Sequence, residues 1–361
     1  MDNSDKLSNL RHQIDSIDQQ IQDLISSRAN VAQKVAESKK KSKSGSDFYR
    51  PEREAQVLRA VKERNKGPLK DETLLRLFRE IMSACLAQQK PLNIAYLGPQ
   101  GTFSEIASYQ YFGHSIASLP VTSIDQVFSE VEAGVADFGV VPVENSTEGA
   151  VNNTLDMFLS SPLKICGELD LPIHHNLMSK SNNLGEINRV FSHRQSLAQC
   201  HGWLRENLPD VECVAVSSNA EAARRAQFMD NSAAIAGESA ATMYSLSLLH
   251  KQIEDRIDNS TRFLIIGKQI PASSGDDRTS LLVAAKDQPG ALFHILKPLT
   301  ENNVSMSRIE SRPSKQGKWD YVFFIDIDGH KDDENVSRAL RFLARVTTQL
   351  KVLGSYPKSV E

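Results

Sequence analysis

Residues 5–90 carry an apolar pattern of helical period. Apolar side chains recur in alternating steps of four and three at Leu10, Ile14, Ile17, Ile21, Leu24, Val31 and Val35. This heptad seam predicts one long helix, which must bury its apolar stripe against partner helices. The lysine-rich segment KKKSKSGS (39–46) is predicted to be a flexible, solvated break. Two shorter helices are predicted near 51–65 and 71–89, on either side of the turn-like NKGP segment.

Residues 92–270 alternate short apolar runs with amphipathic stretches. The runs NIAYLGP, FGVVPV, RVFSH, AAIAG and RFLIIG are predicted strands, and IDQVFSEVEAG and NAEAARRAQFM are predicted helices. This alternation is typical of an α/β domain. The PASSGDD segment (271–277) that follows has the composition of a linker.

Residues 278–357 show the order strand, helix, strand, strand, helix, strand. This βαββαβ order predicts an α+β, ferredoxin-like domain. The chain is therefore expected to be multidomain, with an all-α domain over 1–90, an α/β domain over 93–270 and the ferredoxin-like domain over 278–357.

The composition indicates an ordinary globular protein. Hydrophobic residues make up 40% of the 361 residues, and the net charge of −3 argues against nucleic acid as the main partner. The charge is uneven, because residues 1–90 hold 18 basic and 13 acidic side chains, which favours anionic ligands there. The polar N-terminus does not resemble a secretory signal, and no stretch approaches the roughly 18 apolar residues of a membrane span. A cytoplasmic protein is expected.

Neither a metal nor a cofactor is expected. The cysteines Cys85, Cys166, Cys200 and Cys213 are scattered and form no CxxC pair, so a disulfide framework or zinc site is not indicated. His174 and His175 are adjacent, so along a strand they point to opposite faces, and at most one would face a cleft. A structural role is the favoured interpretation of this pair. Glycine-rich nucleotide-binding signatures are also missing from the sequence.

The heptad seam of the first helix also carries cations. The seam position between Leu24 and Val31 is occupied by Arg28. Lys39 lies eleven residues after Arg28, within about 20° of the same helix face. No carboxylate on that stripe pairs with them, so either the side chains extend to solvent or an anion occupies the space. Arg11 lies roughly 100° away from Arg28 around the helix, so it would more easily meet the same anion from a partner chain.

The segments LRHQIDSIDQQIQDLISSRANVAQKVAESK, RPERE and CLAQQ resemble the all-helical chorismate mutases. That family forms dimers with interlocked helices and rearranges chorismate to prephenate. The resemblance implies that arginines hold the two substrate carboxylates, that a lysine and a glutamine donate to the breaking ether oxygen, and that a glutamate accepts from the substrate hydroxyl. The matching residues are Arg11, Arg28 and Arg53 for the carboxylates, Lys39 and Gln89 as donors, and Glu54 as acceptor. Arg50 and Cys85 depart from the family pattern.

The VENSTEG segment (143–149) packs hydrogen-bonding groups at the end of a predicted buried strand. A capped helix start, with Ser146 or Thr147 as cap and Glu148 in the first turn, explains one or two of these residues. Similar polar loops adjoin other predicted strands, namely GPQGTFS (98–104), SHRQSLAQC (192–200), GESAA (237–241) and NSTRF (259–263). Because strand ends in open α/β sheets bind ligands, these loops predict a small-molecule cleft.

Together GPQGTFSE, VPVENSTEG, SHRQSLAQC and DNSTRFLIIG resemble the prephenate dehydratases across 93–267. The resemblance implies two α/β lobes like those of type II periplasmic binding proteins, with the active site between them. It also implies that Thr261 is the essential residue. Because a threonine hydroxyl is a poor acid, Glu144 is an alternative proton donor if burial raises its pKa. Substrate-binding positions implied by the family motifs are Asn145, Ser192, Gln199 and Arg262. Arg194 replaces the family's usual proline.

GALF (290–293) and ESRP (310–313) resemble the phenylalanine-binding motifs of ACT regulatory domains. A helix-opening loop and an edge-strand stop would explain them without a ligand. Their place in a βαββαβ frame behind a dehydratase favours regulation by phenylalanine. The implied effector-binding residues are Gly290, Ala291, Leu292, Glu310, Ser311 and Arg312.

The three resemblances together predict a homodimeric bifunctional enzyme of phenylalanine biosynthesis. It would convert chorismate to prephenate and prephenate to phenylpyruvate, with feedback regulation by phenylalanine and without nucleic acid or membrane partners. One alternative is a non-catalytic sensor of aromatic amino acids, which would not need Lys39, Gln89 and Thr261 together. The other is a dehydratase that prefers arogenate, which the sequence does not distinguish.

Overall fold

A computed structural model describes residues 3–41, 49–285, 288–313 and 321–360. Three structural units follow one another along the chain: a helical unit, a two-lobed α/β unit and a C-terminal α+β unit. This arrangement confirms the predicted fold class. None of the helices in these described ranges combines the length and apolar character that crossing a bilayer requires.

The helical unit consists of α1 (Asn3–Lys41), α2 (Pro51–Arg64) and α3 (Asp71–Ala87). Helices α2 and α3 pack through a small core of Leu58, Val61 and Leu75. The N-terminal two thirds of α1 project away from this core, so its heptad seam is open to solvent, with Ile14 57% exposed. Near its C-terminal end α1 contacts α3, where Ala36 becomes buried.

The two-lobed unit is built from alternating strands and helices. Its elements are β1 (Asn93–Leu97), α4 (Phe103–Phe112), β2 (Ala117–Val121), α5 (Ile124–Ala133), β3 (Phe138–Asn145), β4 (Gly149–Ala150), α6 (Asn152–Ser160), β5 (Lys164–Pro172), β6 (Asn176–Ser179), a 3-10 turn (Leu184–Glu186), β7 (Arg189–His193), α7 (Arg194–Gln199), α8 (His201–Asn207), β8 (Glu212–Val216), α9 (Asn219–Phe228), β9 (Ser232–Ala236), α10 (Glu238–Met243), β10 (Ser247–His250) and β11 (Ser260–Gly267).

Each lobe has its own mixed sheet. The first has the order β2-β1-β3-β11-β5, with β4 paired to β3, and the second has the order β10-β6-β9-β7-β8. The chain leaves the first lobe after β5 and returns to it after β10, so two adjacent segments, 173–175 and 251–259, connect the lobes. Strand ends from both sheets therefore face a shared cleft.

The VENSTEG segment does not begin a helix. Strand β3 runs to Asn145 and turns directly into β4, and Gly149 completes the turn with a φ of 80°. The Asn145 Oδ1 atom accepts hydrogen bonds from the backbone N–H groups of Thr147 and Glu148 at 3.0 and 3.1 Å. The capped-helix interpretation is therefore wrong, because the asparagine side chain closes a hairpin turn.

The C-terminal unit contains β12 (Asp277–Ala285), α11 (Ala291–Glu301), β13 (Met306–Pro313), β14 (Tyr321–Asp328), α12 (Glu334–Val346) and β15 (Gln349–Pro357). Its antiparallel sheet has the order β13-β14-β12-β15, as expected for a ferredoxin-like fold. Helices α11 and α12 cover one face.

The other face of the C-terminal sheet packs on the first lobe. Leu282, Phe324 and Leu353 share a core with Leu264 and Ile266 of β11. At Gly354 any side chain would clash with the β5 backbone at Ile165, so glycine permits close approach of the two sheets. The C-terminal unit is thus docked against the strand that carries the TRF motif.

Candidate active sites

The cleft between the two lobes encloses about 1060 Å³. The loops GPQGTFS, VENSTEG and SHRQSLAQC and the start of β11 all contribute to its walls. The polar side chains that line it include Asn145, His175, Ser196, Gln199, Asn219 and Thr261. The structure therefore brings Asn145, Gln199 and Thr261 together, although they are far apart in sequence.

Thr261 lies directly opposite Asn145 in the β3–β11 pair. The Asn145 Nδ2 atom donates to Thr261 Oγ1 at 2.8 Å. Because this bond uses Thr261 Oγ1 as an acceptor, the hydroxyl proton of Thr261 is left to donate to a ligand in the cleft.

Gln199, on α7 of the second lobe, lines the cleft beside these residues. Its Oε1 atom accepts from Asn259 Nδ2 at 3.1 Å and lies 2.7 Å from His175 Nε2. Asn259 Oδ1 in turn accepts from Asn145 Nδ2 at 3.0 Å. A continuous hydrogen-bonded chain thus runs from His175 to Thr261.

The two adjacent histidines have different surroundings. His174 Nδ1 lies 2.7 Å from Glu254 Oε1, and the His175 backbone N–H donates to Glu254 Oε2 at 2.8 Å. This carboxylate joins the two segments that connect the lobes. His175 is 1% exposed and lines the cleft, and burial lowers its pKa. Only His175 of the pair lines the cleft, in agreement with the expectation that at most one of the two would, but the structural role favoured for both did not anticipate this position.

Ser192 does not line the cleft. Its side chain is buried, with Oγ 2.8 Å from the Ile235 carbonyl and 3.0 Å from Asn219 Oδ1. The prediction of direct substrate binding is corrected accordingly, because Ser192 contacts Asn219, which does line the cleft. Asn219 was missed, although its place in the polar SSNA segment after β8 was a usable signal. Its Nδ2 atom donates to Ser196 Oγ at 2.9 Å.

Arg262 points away from the cleft, because successive residues of a strand face opposite sides of the sheet. Its guanidinium forms ion pairs with Glu168 at 2.7 Å and with Asp326 at 2.6 Å. It also donates to the Tyr356 hydroxyl at 3.1 Å. The prediction that Arg262 holds a substrate carboxylate is therefore wrong, since buried carboxylates of its own chain already occupy it.

Glu144 also faces the C-terminal unit. Its side chain is 40% exposed and forms an ion pair with Arg308 at 2.8 Å. A carboxyl group that is this exposed and paired with an arginine is not the buried proton donor considered as an alternative.

Two of the mutase candidates, Arg28 and Glu54, lie close enough to interact electrostatically. Burial raises the pKa of Glu54 to about 7, against the opposing effects of Arg79, a hydrogen bond from Tyr49, and Arg28. Gln89 is half-buried, and its Nε2 atom donates to the Ala32 carbonyl of α1 at 3.1 Å. Arg28, Glu54 and Gln89 thus lie near the α1–α3 contact.

The remaining mutase candidates are not assembled within one chain. Arg11 and Arg53 are exposed, and Arg11 lies about 25 Å along α1 from Arg28 at 1.5 Å per residue. Lys39 falls within α1, but its side chain lies outside the described residues. The two cavities that reach Glu54 measure about 20 and 30 Å³, which is room for a water molecule or two.

The GALF motif borders a separate pocket of about 280 Å³ in the C-terminal unit. Gly290 has a φ of 81° and precedes α11, and Ala291 and Leu292 form the first turn of that helix. All three residues line the pocket, together with aromatic residues that include Phe293 and Tyr321.

The ESRP residues lie elsewhere. Glu310, Ser311 and Arg312 stand on the edge strand β13 and do not line the GALF pocket of their own chain. Arg312 forms an ion pair with Asp156 at 3.1 Å and donates to the Asn152 carbonyl at 2.8 Å. The prediction that Arg312 binds effector is corrected, because in this arrangement it binds helix α6 of the first lobe.

Among the described residues, no group of His, Cys, Asp and Glu side chains is arranged to hold a metal ion.

Three family models match the chain in sequence order. They are chorismate mutase type II over residues 10–90, prephenate dehydratase over residues 94–271 and the ACT domain over residues 279–345. A bifunctional chorismate mutase/prephenate dehydratase from Stutzerimonas stutzeri is 55% identical over the full length of both chains. A protein of the same name from Pseudomonas aeruginosa is 53% identical, also over both full lengths.

A solved structure of prephenate dehydratase from Arthrobacter aurescens in complex with L-Phe is 37% identical in sequence. The similarity covers 74% of this chain and 90% of that one, with a TM-score of 0.69. A prephenate dehydratase structure from Staphylococcus aureus gives a TM-score of 0.65 at 27% identity, covering 73% of this chain and all of that one.

Proposed function

The chain belongs to the family of bifunctional chorismate mutase/prephenate dehydratases, and we propose how its parts divide the work. Residues 1–90 rearrange chorismate to prephenate, residues 93–270 convert prephenate to phenylpyruvate, and residues 278–357 bind phenylalanine and regulate. Both reactions belong to phenylalanine biosynthesis. The single observation that carries the dehydratase assignment is the Asn145–Thr261 hydrogen bond at the cleft.

The dehydratase step needs a donor at the departing hydroxyl. Asn145 engages Thr261 Oγ1 as an acceptor, so the Thr261 proton is directed to the cleft. A hydrogen bond to the ring hydroxyl of prephenate assists cleavage of its C–O bond. The electrons of the bond to the ring carboxylate complete the aromatic ring, so carbon dioxide and, once the departing oxygen has gained a proton, water leave together. Gln199 and Asn219, which line the same cleft, are the proposed ligands of the substrate carboxylates.

The mutase step needs no covalent catalysis. Arg28 and Arg53 bind the two carboxylates of chorismate, and Lys39 and Gln89 stabilise negative charge on the ether oxygen in the transition state. Glu54 accepts from the substrate hydroxyl. These roles are proposals that rest on the family motifs and on the position of Arg28, Glu54 and Gln89 around the α1–α3 contact.

We propose that the protein is a homodimer. The seam of α1 is exposed along its length, with Ile17 at 53% and Leu24 at 69%, and a second copy offers the same stripe as its partner. The cavities at Glu54 are too small for chorismate, and Arg11 is too far from Arg28 to act in the same chain. A site formed between two chains would provide both the space for chorismate and an Arg11 side chain close to Arg28.

Phenylalanine is the proposed effector, bound between the GALF pocket of one chain and the ESRP strand of another. The pocket is bordered by apolar side chains that are exposed in one chain, including Leu292 at 41% and Phe293 at 63%. Exposed apolar groups around a small pocket favour completion of the site by a second copy. Glu310 and Ser311 are the ESRP residues that remain candidates for this contact.

We propose the cytoplasm as the compartment of this enzyme. The four cysteines are free and three of them are buried, which suits a reducing environment.

One assay tests the assignment as a whole. The purified chain is supplied with chorismate, and phenylpyruvate is measured with and without phenylalanine. Formation of phenylpyruvate that phenylalanine suppresses is the expected result. Release of prephenate alone would contradict the dehydratase assignment, no turnover would favour the sensor alternative, and faster turnover of arogenate than of prephenate would reassign the substrate.

A further inference from the structure

The hydrogen-bond chain across the cleft wall has a direction that is fixed at one end by the backbone. Asn145 Oδ1 accepts from the N–H groups of Thr147 and Glu148, which can only donate. The other end of the Asn145 amide must therefore be its NH2 group. That group is the donor to both Thr261 Oγ1 and Asn259 Oδ1.

The same reasoning orients the next two amides. Because Asn259 accepts from Asn145 through Oδ1, its Nδ2 group is the donor to Gln199. Gln199 must then present Oε1 to Asn259, and it presents the same atom to His175. Each amide has one possible orientation once the first is fixed.

This series of hydrogen bonds determines the tautomer of His175. An acceptor oxygen lies 2.7 Å from Nε2, so Nε2 must carry the proton. The neutral ring then leaves Nδ1 unprotonated, and this atom is buried without a hydrogen-bond partner among the described residues. A buried acceptor without a partner is tolerated better than a buried donor, so the second nitrogen supports the same tautomer.

We propose that His175 is a positioning residue for the dehydratase reaction. Its Nε2–H group holds Gln199 Oε1, which orients Asn259 and, through it, the Asn145 amide that directs the Thr261 proton into the cleft. His175 reaches Thr261 through three side-chain amides and is not itself required to touch the substrate. This inference rests on the proposed function, in which Thr261 donates to the departing hydroxyl.

The direction of these hydrogen bonds suits the substrate. With Oε1 of Gln199 occupied by two donors, the group that Gln199 can offer to a ligand is its NH2. The wall therefore presents donors at both Gln199 and Thr261, as a dicarboxylate with a leaving hydroxyl requires. The opposite tautomer of His175, protonated on Nδ1, would place the Nε2 lone pair against Gln199 Oε1 and favour a flipped amide, which removes this arrangement.

A matched pair of variants tests the role of the Nε2–H group. His175→Gln places an amide NH2 near the position of Nε2, whereas His175→Asn, with a shorter side chain, reaches only the position of Nδ1. We expect His175→Asn to lower kcat for prephenate by about tenfold or more with little change in KM, because an oriented donor acts mainly in the transition state. His175→Gln should retain most of kcat. Equal kcat values in the two variants would overturn the proposal.

The tautomer can be measured in the unmodified enzyme. In ¹⁵N-histidine-labelled protein, the two ring nitrogens have different chemical shifts according to which one is protonated. The His175 signal is assigned in the wild type through its proximity to the Phe103 ring, whose centroid lies 5.8 Å away. The Nε2–H form is expected at neutral pH. An Nδ1–H form would overturn the proposal even if neither variant folds, and thermal unfolding of both variants shows whether their kcat values are comparable. Failure of the wild-type chain to form phenylpyruvate would instead refute the proposed function.

Discussion

Arg308 Nε lies 2.8 Å from Glu144 Oε2 and so joins the C-terminal unit to the strand that ends at Asn145. Arg308 stands on β13, two residues before the ESRP motif, and Glu144 immediately precedes Asn145 on β3. A displacement of β13 on effector binding would therefore be transmitted to the residue that holds Thr261. Several ion pairs cross this interface, and the two next to the cleft residues are Arg308–Glu144, beside Asn145, and Arg262–Asp326, beside Thr261.

The first prediction is that Arg308→Gln weakens inhibition by phenylalanine. An ion pair that is partly exposed contributes up to about 1 kcal/mol, so we expect the inhibitory effect to fall by a few-fold while phenylalanine still binds. Phenylpyruvate formation is measured against phenylalanine concentration, and binding is measured by calorimetry. Arg338→Gln, which breaks an exposed pair on α12, serves as the control. Unchanged inhibition would mean that this pair does not transmit the signal.

The second prediction concerns the Thr261 hydroxyl. Thr261→Val keeps the shape of the side chain but removes the donor, so kcat for prephenate should fall by about a hundredfold or more. Thr261→Ser keeps the hydroxyl and should retain most of the activity. Turnover of chorismate to prephenate should be unaffected in both variants. Near-normal dehydration by the valine variant would remove Thr261 from the proposed mechanism.

The third prediction concerns the mutase residues of α1. Arg28→Ala and Lys39→Ala should each lower chorismate turnover by about a hundredfold or more, because each removes a charge that stabilises the substrate or the transition state. Dehydration of added prephenate should persist. Lys34→Ala, an exposed lysine of the same helix, is the control. If both variants keep full turnover, the helical unit serves only for dimerisation.

The fourth prediction follows from the raised pKa of Glu54, which is about 7 in the folded chain against 4.5 for an ordinary glutamate. Between these values the folded state holds a proton that the unfolded state has lost, so stability falls as the pH rises through this window. Glu54→Gln has no such proton to lose. Its thermal unfolding midpoint should therefore exceed that of the wild type by more at pH 8 than at pH 4.5. An equal difference at both pH values would contradict the burial of this carboxyl group.

The fifth prediction tests the new assignment of Arg262. Arg262→Met leaves Glu168 and Asp326 with fewer partners in a buried interface, which is expected to destabilise the chain by about 3–5 kcal/mol. The KM for prephenate should change little in the fraction that remains folded. Arg256→Met, at an exposed arginine paired with Asp258, should unfold like the wild type. A large rise in KM without loss of stability would return Arg262 to the substrate site.

The periodicity of the sequence predicted the fold, but it could not predict which structural unit packs against each face of a strand. Thr261 and Arg262 belong to one motif, yet one lines the cleft and the other pairs with β5 and β14. Which side of β11 the C-terminal sheet covers depends on packing between distant segments. For the same reason, Ser192 and Arg312 were predicted to bind ligands, whereas Ser192 contacts Asn219 and Arg312 pairs with Asp156.

The sequence also did not predict residues whose proposed role is to orient other residues. In the sequence His175 is only one of two adjacent histidines, and its role depends on Gln199, which lies 24 residues further along the chain. Asn145, Gln199 and Thr261 could be identified because their motifs resemble those of a family. No pattern of period or composition links His175 to them, since the connection is a chain of hydrogen bonds across four separate segments.

A separate measurement addresses the effector pocket, where Ala291→Val serves better than substitution of Gly290. Gly290 has a φ of 81°, so a side chain there would strain the backbone and obscure the effect on binding. Ala291, at the start of α11, lines the pocket of about 280 Å³, and two added methyl groups reduce the space for a phenylalanine ligand. Calorimetry should show weakened phenylalanine binding, and the dehydratase should remain active and insensitive. Asn335→Val, in the exposed first turn of α12, controls for a bulky residue at a helix start. Wild-type phenylalanine affinity in Ala291→Val would place the effector site away from the GALF motif.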